Sequence, residues 1–413
     1  IDEFYEELFD NYQNTKLEPN LLSKRTHIKS VLRKLHSRLV IEELINYFEI
    51  KEQDLDNILQ IFVRVNSGGT VLSKTDLLFS TIIATWEKGR DEIENFIDDI
   101  NSWGDGFRFD NDFIMRCCLV LTDCPVVFKV GSFRSDNVVK IKNSWPKIRD
   151  AIGETVRLLV KFGFNGQNLT SQNAIILIAY YILKGGKINS KTEQEFRYYI
   201  IHSLLKNIYG GQGDTVLSNL RNGLRIKDNQ ESELAYKLKS NNFEFSQLFK
   251  AKLPSNKSFR ITEDDINEFL EYKKGTNTFL ILSLLYPDLR YGHVKFHQDH
   301  IHPAALFSTA KLNKYGIDES KHELWFLLKD QLPNLQLLEG RENEMKNKTP
   351  LVEWIYGNDR NGKANVENIE VFYRRNYFPE NQSLELEYFE EFFQERKKLL
   401  KIKLSKNIYI QKS

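Results

Sequence analysis

The sequence has no apolar run approaching the ~18 residues that a membrane-spanning helix needs, and so no such helix is expected. Its first ten residues carry neither the basic flank nor the apolar stretch of a signal peptide. Cysteine is scarce. Cys117, Cys118 and Cys124 are the only three, none are spaced C-x-x-C, and none lie near other candidate ligands. That excludes a structural zinc knuckle. Few cysteines and no leader point to a reducing, cytoplasmic setting. A dominant charge is missing as well: 58 Lys and Arg balance 57 Asp and Glu. No bulk field draws the chain to nucleic acid, so any such contact must come from local basic groups. There is no internal repeat and no low-complexity linker. Because it opens on Ile rather than Met, the sequence is expected to be a piece of a longer chain.

What is present is a chain of 413 residues, enough for two to four domains, with 41% hydrophobic residues to build their cores. The pattern is mostly α. Residues 22–39 read as a helix bearing Lys24, Arg25, Lys29, Arg33, Lys34 and Arg38. Such a run is first a solvated face and alternatively a strip that meets phosphates. The run 39–50, apolar-rich and partly alternating, is expected to be a strand. A helix from about 54 should stop at Gly68-Gly69, and Ser73 with Asp76 should open the next. Helices follow at about 91–103, 110–123, 144–163, 171–185, 191–208 and 213–224, with Cys117 and Cys118 as small core residues. Gly210-Gly211-Gln212-Gly213-Asp214 lacks the Lys and Ser/Thr of a phosphate-binding loop, and reads as a turn with Asp214 as N-cap.

From residue 290 the texture changes to α+β. Strands are expected at 294–300 and 335–338, a short helix at 341–348 and a closing helix at 383–403. This stretch carries three groups in order: Asp299-His300-Ile301-His302-Pro303, then Asn334, then Asn343 with Lys346 three residues on. Phosphodiester hydrolysis needs a divalent cation on the phosphate and leaving oxygen, and a base for the attacking water. Adjacent strand residues point to opposite faces, so Asp299 and His300 can serve metal and water separately. A carboxylate and an amide oxygen are hard donors suited to Mg2+ or Mn2+. His293 and His297 read as rim residues or, less simply, as ligands; His302 as a supporting neighbour; His322 as a helix surface residue.

The ordered set Asp299-His300, Pro303, Asn334 and, nine residues later, Asn343 resembles the HNH, or ββα-metal, nucleases. The resemblance implies that Asp299 and Asn343 are metal ligands and that His300 is the general base. It implies that Asn334 fixes the loop or orients His300, and that Lys346 contacts phosphate. A second resemblance lies upstream. Ile61-Phe62-Val63-Arg64-Val65-Asn66-Ser67-Gly68-Gly69-Thr70-Val71-Leu72-Ser73 is similar to a hallmark segment of GmrSD-like restriction proteins, which join a ParB/sulfiredoxin-like domain to a C-terminal HNH nuclease. That family's Asp-Gly-Gln-Gln-Arg motif is absent from the sequence, so a nucleotide is expected to act only through a missing N-terminal part. The implied organisation is a partial ParB/sulfiredoxin-like domain over 1–105, a helical domain over 106–270, and an HNH nuclease domain over 271–413. The expected function is metal-dependent cleavage of DNA in restriction or phage defence, with no membrane partner. The alternatives are a catalytically silent DNA-binding module or an HNH enzyme acting on RNA.

Overall fold

The computed structural model describes residues 24–42 and 82–407, apart from 129, 134, 229–235 and 360, with scattered positions before 82. The chain divides into two units, Ile1–Val65 and Asn66–Ser413. In the first, α1 (Arg25–His36) runs directly into a π-helical turn over Ser37–Ile41. The strand expected from residue 39 is therefore corrected over 39–41. Partial alternation in an apolar-rich run is a weak signal, and here the backbone keeps the helical path of α1. The rest of that expected strand, the Gly68-Gly69 turn, the Ser73 cap and nearly all of 61–73 lie outside the described residues.

Among its described residues the second unit is mostly helical, with two small antiparallel sheets. Its helical part comprises α2 (Gly89–Asn101), α3 (Asn111–Leu121), α4 (Ser135–Lys161), α5 (Ile176–Leu183), α6 (Ser190–Leu205) and α7 (Gly213–Leu224). Asp110 caps α3 by accepting from the Phe113 N–H at 2.8 Å, and Asn189 caps α6 through Thr192. Helix α3 is apolar on nearly every side and buries Ile114, Met115, Cys117, Cys118 and Leu119, as a helix surrounded by others must. Helix α4 begins nine residues before its expected start at 144 and runs through Pro146. The buried side chains of Val138, Ile141 and Trp145 anchor the turns ahead of the proline, which offsets the hydrogen bond it cannot donate. Asp214 is not the N-cap of α7; Gln212 holds that position. The Asp214 carboxylate instead pairs with Arg116 at 3.0 Å and accepts from the Phe128 N–H at 2.9 Å. A tertiary cation outbids the local cap.

After the short hairpin β1 (Arg225–Lys227) and β2 (Tyr236–Leu238) come α8 (Glu263–Phe269) and α9 (Thr276–Leu285). The rest holds β3 (Phe296–His300), α10 (Thr309–Lys314), α11 (His322–Leu328), β4 (Leu335–Glu339), α12 (Gly340–Lys346), α13 (Leu351–Tyr356), α14 (Ile369–Asn376) and α15 (Phe389–Asn407). Two apolar clusters flank the chain as it leaves β3. Ile301 is buried with Leu351, Trp354, Phe378 and Phe392. Leu306 and Phe307 are buried with Trp325, Phe389 and Phe393. Three phenylalanines of α15 thus grip both sides of the β3 exit. Each buried phenyl ring contributes roughly 1.5–3 kcal/mol, so this exit is held firmly.

Candidate functional site

Strands β3 and β4 pair antiparallel, with Asp299 opposite Gln336 and His300 opposite Leu335. Helix α12 follows β4 without a gap and packs on both strands. The chain therefore forms a ββα unit whose first strand ends on Asp299-His300 and whose helix bears Asn343 and Lys346. Strand alternation sends the two site residues apart. Asp299 is buried against Gln336 and Lys346, and half-buried His300 faces Asp330.

On the Asp299 side, Lys346 Nζ lies 2.8 Å from Oδ2 and Gln336 Nε2 donates to the same oxygen at 3.1 Å. Among the described residues Oδ1 accepts no hydrogen bond, and the Asn343 side chain makes none. The free Asp299 Oδ1 and the Asn343 amide oxygen are each hard donors of the type that Mg2+ or Mn2+ takes, although no hydrogen bond links Asn343 to the Asp299 group among the described residues. No group of three or more His, Cys, Asp or Glu side chains that could hold a metal occurs among the described residues.

Lys346 is placed differently from expectation. Its side chain is wholly buried, and its ammonium also donates to the His300 carbonyl at 2.6 Å. Burial pushes its pKa below the ordinary value, and the Asp299 carboxylate opposes that shift. The expected phosphate contact gives way to an internal ion pair. A cation that does reach the surface is Lys274. Its segment is pinned twice, through a bridge between Lys273 and Gln331 and through the Gln298 amide, which bonds both the N–H and the carbonyl of Gly275 at 2.9 Å. Crowding there lowers the Lys274 pKa, while the charges of Asp299 and Asp330 oppose it.

On the other face, His300 Nε2 lies 2.9 Å from Asp330 Oδ1, and Lys329 Nζ meets Oδ2 of the same carboxylate at 2.5 Å. Partial burial raises the Asp330 pKa, but the hydrogen bonds from Lys329 and His300 outweigh it and hold it below the usual carboxylate range. Burial and the nearby Lys274 charge push the His300 pKa down, with Asp330 and Asp299 opposing. At neutral pH the ring is therefore a neutral imidazole that can accept a proton.

Asn334 is fully buried and spans two segments. Its Oδ1 accepts from His302 N–H at 2.9 Å, while Nδ2 donates to the carbonyls of His302 at 3.1 Å and Lys329 at 2.7 Å. Of its two expected roles, holding the loop is the one its hydrogen bonds describe; among the described residues none of them goes to the His300 ring. His302 is a supporting neighbour in the literal sense. It is buried edge-on against Phe389 and Phe392, and its Nε2 finds no partner among the described residues. His293 and His297 line a cleft of about 640 Å³ together with Lys295 and Gln298. His322 is corrected: it is buried, and its Nε2 donates to the Ile317 carbonyl at 3.1 Å. It starts α11 facing inward, toward the loop that closes α10.

Sequence reasoning missed Asp330, Lys274 and Gln336. Gln336 had a usable signal, since a polar residue facing the core of an apolar strand, directly opposite Asp299, needs a partner. No protein-family model matches the chain, and no curated protein is significantly similar to it. Among the described residues no helix is long and apolar enough to cross a membrane.

Proposed function

We propose that this chain is a metal-dependent endonuclease of the HNH type, related to the GmrSD-like restriction proteins and acting on DNA in restriction or phage defence. The observation that carries the reading is the ββα unit. It combines a strand ending on Asp299-His300 with a helix bearing Asn343, and this supports the reading through its resemblance in order and spacing to the HNH motif. Asp299 and Asn343 are the residues to hold Mg2+ or Mn2+. When bound, that ion supplies charge to offset the developing negative charge on phosphate and leaving oxygen. His300, neutral and half-buried, takes the proton of the attacking water. Asn334 keeps the loop after β3 in register. Lys274, at the surface beside these groups, meets the phosphate in place of Lys346.

A second reading has one observation in its favour. Lys346 already neutralises Asp299 at 2.8 Å, which suits a silent site used only to dock nucleic acid. Incubating the protein with supercoiled plasmid and, separately, with structured RNA distinguishes the two. The nuclease reading expects plasmid cutting that requires Mg2+ or Mn2+ and stops with chelator. Salt-sensitive binding without cutting under any divalent metal supports the docking reading. Cleavage confined to RNA would reassign the substrate.

A further inference from the structure

We infer that Asp330 is the positioning residue for His300, and that it commits the ring to one tautomer with Nδ1 as the proton acceptor. This rests on the nuclease reading above and adds a residue to it. An ionised carboxylate can only accept, so at 2.9 Å the His300 Nε2 must carry the hydrogen. In a neutral imidazole the other nitrogen then has a lone pair, which leaves Nδ1 for water. The second carboxylate oxygen is engaged by Lys329 Nζ at 2.5 Å, which favours this orientation of the group.

The backbone around the pair is fixed by a single side chain. Asn334 bonds the Lys329 carbonyl, one residue before Asp330, and both backbone groups of His302, two residues after His300. It therefore sets the separation between the segments carrying the two partners. Leu332 to Asn334 form a short 3-10 turn, and Arg396 donates to the carbonyls of Pro333 at 2.6 Å and Leu335 at 3.1 Å, so this bracket is itself anchored.

Lys329 makes the inference sharply testable. It is a pure donor, so in Asp330→Asn it selects the amide oxygen and turns the amide nitrogen toward His300. That nitrogen donates to Nε2 and drives the ring hydrogen onto Nδ1, the wrong place for a base. Cleavage kinetics in Mn2+ should be measured for the wild type, His300→Ala, Asp330→Ala, Asp330→Asn and the double variant Lys329→Met with Asp330→Asn. Histidine 15N NMR on the full chain should accompany them. Loss of an orienting partner typically costs about 10–100-fold, so Asp330→Ala should lose that much in kcat with KM unchanged. Asp330→Asn should fall at least as far and show an Nδ1–H tautomer. The double variant, whose amide is free to turn its oxygen to Nε2–H, should recover part of the loss. If Asp330→Ala keeps full kcat while His300→Ala is dead, the positioning role is wrong and the nuclease reading survives. An Nδ1–H tautomer in the wild type overturns the role without any variant having to fold. If His300→Ala also cuts at the wild-type rate, the nuclease reading itself falls.

Discussion

Lys346 shows how one residue can change meaning between sequence and fold. Three positions beyond Asn343 on a polar helix, it reads as an exposed cation, yet its side chain is wholly buried between Asp299 and the His300 carbonyl. Removing one partner of a buried pair leaves an uncompensated charge and typically costs about 3–5 kcal/mol. Lys346→Met should therefore lower the melting temperature clearly in metal-free buffer. Divalent metal should recover more stability in this variant than in the wild type, because a bound ion can replace the missing ammonium. A phosphate-contacting lysine at the surface predicts no change in melting temperature at all. Asp330 was illegible for a related reason. An aspartate between Lys329 and Gln331 has no periodic or capping signature, and its meaning comes from a histidine 30 residues away. Asp299, His300, Asn334 and Asn343 stand out in the sequence because type, order and spacing are properties of sequence itself; the metal and base roles given to them belong to the proposal.

At the scale of elements, the strands expected at 294–300 and 335–338 and the helix expected at 341–348 appear as Phe296–His300, Leu335–Glu339 and Gly340–Lys346. Alternation and length made them readable. The strand expected from residue 39 failed over 39–41, because partial alternation in an apolar-rich run does not separate strand from helix. What no local pattern announces is the clamp that Arg396 applies from α15. The guanidinium is fully buried and donates to the carbonyls of Asn376, Pro333 and Leu335 and to the Tyr286 hydroxyl. It holds α14, the end of α9 and the turn carrying Asn334 together. A hydrogen bond from a charged donor contributes about 1.5–3 kcal/mol, and several are lost at once in Arg396→Met. The expected result is a loss of at least about 3 kcal/mol in unfolding free energy, with faster amide hydrogen exchange over 332–335. An unchanged exchange pattern there would show that the turn holds without the clamp.

Across the whole molecule, two fully buried histidines give stability a pH dependence of known sign. Burial lowers the His202 pKa to about 4 and that of His302 to about 3, against an ordinary value of 6.5. Between those limits the unfolded chain takes up protons that the folded chain refuses, so stability falls as pH drops below about 6.5. The loss continues down to about pH 4 for His202 and about pH 3 for His302. Melting temperatures between pH 6.5 and 5 should decline in the wild type and less steeply in His302→Leu. Equal slopes would mean that His302 is not held neutral by the fold.

The claim that joins these scales is that the ββα unit cuts DNA with His300 as its base. The most direct test is single-turnover plasmid cleavage by the wild type, His300→Ala and Asn343→Ala at low and high Mn2+, with melting temperature measured on each. General-base loss typically costs about 10²–10⁴-fold. His300→Ala should lose that much at either metal concentration while melting close to the wild type, and Asn343→Ala should regain part of its activity at high Mn2+. Wild-type cleavage by His300→Ala would contradict the account.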